Sequence, residues 1–310
     1  MKLTNPLRHP PRVPRVEKPL AEGRFQLADG RRLGYAEFGD PSGAVVLWFH
    51  GTLGARRQFP VLGRRAAENL GLRVIIVERP GTGLSDAHRY SAVTDWVADM
   101  AQVADALDAE RLAVVGLSGG GAYALACGAL PPMVDRVASV AVLDGTVPAV
   151  GPEATDGGVT DVARRFNPVL TQLRRPLAVL STVLLAPLIP IAHYAYGVYA
   201  SMWPEDDQKV LNDPEIEAIF VDDMVNAFRG RCLAMVDDAR LLGRDWGFRL
   251  TDVKVPVRWW HGDSDHVVPI AGVHAAVSRL QDAELTVRSQ SHLGGFAKID
   301  EVLEHLRGYL

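Results

Sequence analysis

The chain has 310 residues, 48% of them hydrophobic and 23% charged, and its 33 Lys and Arg against 37 Asp and Glu leave a formal net charge of -4. That length suits one globular domain with a sizeable insertion, and charges of both signs scattered along it argue against nucleic acid as the main partner. The two cysteines, Cys127 and Cys232, lack zinc-ligand spacing, which points to free thiols in a cytoplasmic protein and to no metal site.

Residues 1–22 form a proline-rich arm, with Pro6, Pro10, Pro11, Pro14 and Pro19 favouring extended chain and no apolar run of the secretory kind. From Arg24 the pattern becomes regular. FQLADGRRLGYAEFG reads as two strands about an Asp29-Gly30 turn. AVVLWFH (44–50) and LRVIIVE (72–78) are buried strands separated by helical spacing over 57–70. A helix over 92–107 follows, then the strand RLAVVGL, a small-residue helix over 119–129 and the strand VASVAVL (137–143). Apolar strands alternating with helices imply a mostly parallel sheet covered on both faces.

The alternation lapses over 144–231 and then returns with VPVRWWHG (255–262), a helix over 270–280, AELTVRS and a closing helix over 300–310. The expected organisation is therefore a core of 23–143 and 232–310 with a helical cap, 144–231, inserted over the ligand-binding edge of the sheet. Leu177 to Trp203 contains no Asp, Glu, Lys or Arg, long enough to raise a transmembrane helix. Pro187, Pro190, His193 and three tyrosines favour two short cap helices instead. Membrane-surface contact through an exposed apolar patch is the second reading of that stretch.

Gly116-Leu117-Ser118-Gly119-Gly120 fits G-x-S-x-G, between a buried strand and a helix. A sharp strand-to-helix turn exposes the serine, flanking glycines relieve the crowding, and the helix N-terminus offers amides to a developing oxyanion. A serine nucleophile needs a base and an orienting carboxylate. HGDSDHVVP, at the end of a strand, offers Asp263 and Asp265. SHLGGF, after the last strand, offers His292, on the same sheet edge as Ser118. A glycine-rich turn that only packs tightly, or binds phosphate, is the rival reading of the local motif.

These segments resemble the α/β-hydrolase superfamily from about Phe25 to the C-terminus. His50-Gly51 is similar to its HG segment, ERPGTGLSD to its D-R-x-G-x-G-x-S segment with Glu78 in place of Asp, and GDSDHVVP to its G-x-x-D-x-x-V-P acid loop. The resemblance implies an α/β-hydrolase fold with an eight-stranded sheet, and a triad of Ser118, Asp265 and His292. It also implies an oxyanion hole from the amides of Thr52 and Gly119. Asp263 is the runner-up acid and Asp144, after the sixth strand, the next; Arg79 and Asp86 are expected to hold their loop. His50, His261 and His266 have structural or loop roles. Leu53, Leu117, Tyr194, Trp203, Val267 and Leu293 are candidate substrate contacts, and Tyr196 and Tyr199 are cap aromatics. The implied activity is hydrolysis of a carboxylic ester of a small or medium apolar substrate through an acyl-enzyme, with no cofactor. C–C bond hydrolysis, amidase or perhydrolase chemistry, and a slow-turnover small-molecule receptor, remain as alternatives. HGTLG in place of HGGPG weakens a proline-iminopeptidase reading, and serine at the elbow disfavours epoxide hydrolase and haloalkane dehalogenase.

Overall fold

A computed structural model describes residues 16–227 and 232–310; most of the proline-rich arm lies outside them. An eight-stranded sheet forms the centre, in the order β1-β2-β4-β3-β5-β6-β7-β8. The strands are β1 (Ala21–Gln26), β2 (Arg32–Gly39), β3 (Ala44–Phe49), β4 (Leu72–Val77), β5 (Leu112–Leu117), β6 (Val137–Leu143), β7 (Val257–Gly262) and β8 (Ala283–Arg288). β1 and β2 pair antiparallel, as do β2 and β4, while β3 through β8 run parallel. The crossover from β3 to β4 to β5 places β3 between the other two, so the loops leaving β3 and β5 face each other across the sheet edge. Ligands bind at such a switch point in open α/β sheets.

Helices α1 (Val61–Asn69), α2 (Asp95–Ala106) and α3 (Gly120–Ala129) connect the first strands. β5 and β6 are buried at every position, as strands covered on both faces must be. In β3, Val45, Leu47 and Phe49 enter one core with α2 and α3, and Val46 and Trp48 the other with α1, the two-residue period of a strand. α3 is buried along its whole length; its Gly and Ala residues let it lie close to the sheet.

The cap follows β6. Among the described residues it comprises α4 (Gly158–Gln172), α5 (Arg174–Leu185), α6 (Ala192–Ser201), α7 (Glu205–Leu211), α8 (Pro214–Ala227) and α9 (Leu233–Leu242). α9 packs against α4 and α5, so the helical layer runs to Leu242 rather than stopping at 231. The ion pair of Asp237 with Arg174 in α5 ties α9 to the cap. Its apolar spacing continues that of the cap helices, which leaves no local mark at the expected boundary. α10 (Ile270–Val277) and α11 (Ile299–Arg307) complete the core; Ile299, Val302, Leu303 and Leu306 form the buried stripe of α11.

The stretch Arg174–Ser201 has a mean hydropathy of 1.8 over its most apolar window, of which only 6% is buried, so by length and composition it could cross a membrane. A 3₁₀ turn over Ala186–Ile191, carrying Pro187 and Pro190, separates α5 from α6. The two-helix expectation for this stretch matches that break. Val179, Leu180, Val183, Leu184 and Val198 are exposed along its outer side, whereas its inner side walls a cavity.

Candidate active site

Ser118 lies between the end of β5 and the start of α3 with φ at 50°, a left-handed conformation that costs an L-residue roughly 1–2 kcal/mol. The neighbours hold it there. Its amide donates to Leu143 O at 2.8 Å, and its carbonyl accepts from Gly121 N at 2.9 Å and Thr146 N at 3.1 Å. Glycine is required on both sides for space: a Cβ at Gly116 would lie 2.5 Å from Gly120 O, and one at Gly120 would lie 2.2 Å from Phe49 O.

Three strand ends bring the polar groups together. Ser118 Oγ donates to His292 Nε2 at 3.0 Å, and His292 Nδ1 donates to Asp265 Oδ2 at 2.7 Å. Asp265 Oδ1 accepts the amides of Val267 and Val268 at 2.7 and 2.9 Å, which fixes the carboxylate plane. Asp265 is buried, an environment that favours the neutral acid. Hydrogen bonds from His261 and His292 outweigh it and hold the carboxyl well below its usual range. Burial likewise favours neutral His292, yet the hydrogen bond and charge of Asp265, with Asp144 and Asp207 behind it, raise its pKa above the ordinary value.

The resemblance assigned Thr52 and Gly119 as oxyanion donors. They lie side by side: a Cβ on Gly119 would come 2.3 Å from Thr52 Oγ1. Among the described residues neither amide donates to a protein acceptor. The Thr52 loop is held by Gln58, whose Oε1 accepts Gly51 N at 2.9 Å, and by Arg79, whose guanidinium donates to His50 O at 2.7 Å and Gly51 O at 2.8 Å. Arg79 thus grips the loop after β3 rather than only its own. His50 is buried, with its Nδ1 donating to Gly51 O and its Nε2 accepting from Arg79 N. Burial and then the charge of Arg79 keep its pKa well below normal.

Asp263 and His266 are exposed and stand apart from His292. Asp144, the third acid considered, lies buried behind the centre and accepts Gly262 N at 3.3 Å and Gly295 N at 3.1 Å, tying the acid loop to the histidine loop. Burial pushes its carboxyl up to about 7. His261 has a larger part than a strand-end residue: its Nε2 lies 3.2 Å from Asp265 Oδ2 and donates to Val268 O at 2.8 Å, while Nδ1 accepts from Trp259. Asp144, His261 and Asp265 are the metal-capable cluster among the described residues, with ligand atoms within 4.8 Å of one another. Their donors are already engaged with protein groups.

Three buried cap carboxylates reach down to these loops, and none was expected from the sequence. Asp207 of α7 accepts Leu293 N at 2.9 Å, next to His292. Asp223 of α8 accepts Ala55 N at 2.7 Å and Arg57 N at 2.8 Å, in the loop after β3. Asp238 of α9 pairs with Arg79 at 2.7 Å and accepts the Tyr123 hydroxyl at 3.0 Å. For Asp223 alone a signal existed, an acidic residue among the apolar Ile219, Phe220 and Val221 of α8; α7 and α9 carry several charged residues each and single none of them out.

A cavity of about 320 Å³ opens over Ser118 and His292. Leu53, Leu117, Trp203, Val267 and Leu293 line it as expected, and Trp203 stacks parallel to the His292 ring with centroids 6.0 Å apart. Tyr194 does not: it is 59% exposed on the outer side of α6. Residues 196, 199 and 203 repeat at helical spacing on the inner side, and 194 falls two residues, or about 200°, round from 196. Tyr199 takes the place expected of Tyr194.

A strained serine at a strand-to-helix turn, on this sheet order, defines an α/β hydrolase. Within that class the chain belongs to the family described as serine aminopeptidase, S33, whose model matches residues 40–293. Similar solved structures include a hydrolase from Pseudomonas aeruginosa, with 14% identity and a TM-score of 0.68 over 93% of this chain and 97% of that one. An enol-lactonase from Burkholderia xenovorans has 17% identity and a TM-score of 0.66 over 93% and 99%. A thermophilic esterase from Thermogutta terrifontis has 19% identity and a TM-score of 0.62 over 93% and 97%. At these identities the likeness is one of fold. Among curated proteins none matches the chain in sequence.

Proposed function

We propose that the protein is a carboxylic-ester hydrolase that works through an acyl-enzyme on Ser118. The observation that carries this is the hydrogen-bonded chain Ser118–His292–Asp265 at the floor of an apolar cavity. Ser118 Oγ attacks the ester carbonyl as His292 Nε2 takes its proton. Asp265 holds the tautomer that leaves Nε2 free to accept, and stabilises the imidazolium. The amides of Thr52 and Gly119 receive the oxyanion, each such donor being worth roughly 3 kcal/mol. His292 then protonates the departing alcohol, and water releases the acid by the same route.

The family's description raises aminopeptidase activity as the second reading. An aminopeptidase must hold a substrate ammonium, for which a carboxylate beside the scissile bond is the natural partner. No Asp or Glu lines the cavity among the described residues, which favours an uncharged ester. Fluorophosphonate labelling and turnover of p-nitrophenyl esters, set against p-nitroanilides of amino acids, test the choice. Wild-type ester turnover that is lost in Ser118→Ala with the fold retained is expected. Full activity in Ser118→Ala, or turnover of anilides alone, would overturn the proposal.

A further inference from the structure

Beneath the cap a second cavity, of about 310 Å³, adjoins the one over Ser118. Leu53, Tyr199 and Met224 line both, and form the neck between them. The far walls come from the inner side of the 3₁₀ turn and α6, including Leu188, Ile189 and Ala195, and from Val225 of α8. Among the described residues no ionisable group faces this space except two tyrosines, and the Tyr196 hydroxyl is turned away to Leu211 O at 2.8 Å. Two small chambers in line, the inner one lined mainly by aliphatic side chains, fit a chain-like apolar group and not a compact aromatic one.

The position of the neck indicates which half of the ester enters. Leu53 directly follows Thr52, the proposed oxyanion donor, whereas His292, Trp203, Val267 and Leu293 line only the first cavity. The leaving alcohol must stay within reach of His292, so the inner chamber lies on the acyl side. Met224 adds an unbranched, adaptable side chain at the neck.

We infer that the inner chamber is an acyl-chain site and that the substrates are esters of medium- to long-chain fatty acids. This rests on the serine-hydrolase proposal for its chemistry, but not for its binding. Each methylene buried is worth up to about fourfold in kcat/KM, so p-nitrophenyl acetate, butyrate, octanoate and laurate, used below their micellar concentrations, should give a rising series. Ala195→Trp fills the chamber and should cost laurate roughly a hundredfold, the worth of about three to four methylenes, so that the laurate-to-butyrate ratio collapses. Val225→Phe is a milder intrusion with the same expected direction should Ala195→Trp not fold. Ethyl laurate should be preferred to lauryl acetate. A series in which laurate is no better than butyrate, or a preference for lauryl acetate, overturns the acyl site while leaving the esterase proposal intact. Turnover of no ester overturns that proposal instead. Binding is then read directly, by displacement of a fluorescent fatty acid with laurate from Ser118→Ala. Displacement that Ala195→Trp or Val225→Phe weakens supports the site, and failure of the fluorescent fatty acid to bind overturns it.

Discussion

Replacing Asp265 with Asn tests the proposed mechanism through a single proton. The Oδ1 position receives two backbone amides, from Val267 at 2.7 Å and Val268 at 2.9 Å. Turning the Asn NH₂ toward them would leave two buried donors unpaired, at about 1–3 kcal/mol each. The Asn oxygen therefore takes that position, and its NH₂ points at His292 Nδ1, where the carboxylate oxygen accepted at 2.7 Å. Nδ1 must then become an acceptor, which moves the imidazole proton to Nε2, facing Ser118, and removes the base. His261 Nε2, 3.2 Å from the same position, meets a donor as well. The comparable loss in serine triads is roughly ten-thousandfold, equivalent to about 5.4 kcal/mol of transition-state stabilisation. Asp265→Ala imposes no tautomer and should be at least as active per folded molecule as Asp265→Asn, although it is the larger change. The assay is kcat/KM on p-nitrophenyl butyrate together with the rate of fluorophosphonate labelling, normalised to folded protein by circular dichroism. Asp265→Asn retaining more than about a tenth of wild-type activity, against the expected loss, would refute the reasoning. So would an Asn variant clearly more active than the Ala variant.

Further outcomes follow from the surroundings of the site. The charge of Asp207 helps to raise the His292 pKa, so Asp207→Asn should move the acid limb of the kcat/KM profile to lower pH while Leu293 N keeps an acceptor; an unmoved limb would count against the coupling. Gly120→Ala drives a methyl to within 2.2 Å of Phe49 O, and overpacking of this kind costs about 1–3 kcal/mol or more; an unchanged urea midpoint would exclude the crowding. Burial raises Asp223 to about 7, whereas in the unfolded chain it ionises near about 3.9. The unfolded state thus releases this proton first, and the group's contribution to stability falls as pH rises from about 4 to about 7. Asp223→Asn should therefore gain stability relative to wild type across that window, and a difference between the two proteins that is flat with pH would contradict it.

The cap carboxylates change what the cap is. Asp207, Asp223 and Asp238 bond to loops that carry His292, precede α1, or are held by Arg79. A cap fastened in this way shapes the cavity and braces the loops together, and substitutions in it are expected to alter kcat as well as KM.

Local pattern was sufficient for the core strands and for Ser118, because a buried parallel strand, a glycine-crowded turn and a small-residue helix each mark a short contiguous sequence. It placed Asp263 and Asp265 as candidate acids and His292 as candidate base beside strand ends, since sheet topology brings those ends to one edge, and left the choice of acid open. It failed at Tyr194, where a difference of two residues on one helix decides between cavity and solvent. It put the end of the cap at 231, where α9 continues the helical spacing of the cap and packs on α4 and α5. The parts played by His261, Asp144, Arg79 and the cap aspartates depend on contacts between residues far apart in the chain, such as Arg79 with Asp238. Thus the sequence by itself determined the sheet, the elbow and the order of its polar residues, which are local or topological properties. Only the tertiary structure decided which acid meets the histidine, which cap side chains face inward, and that two cavities lie in line beneath them, because those depend on how separately formed elements rotate and pack against one another.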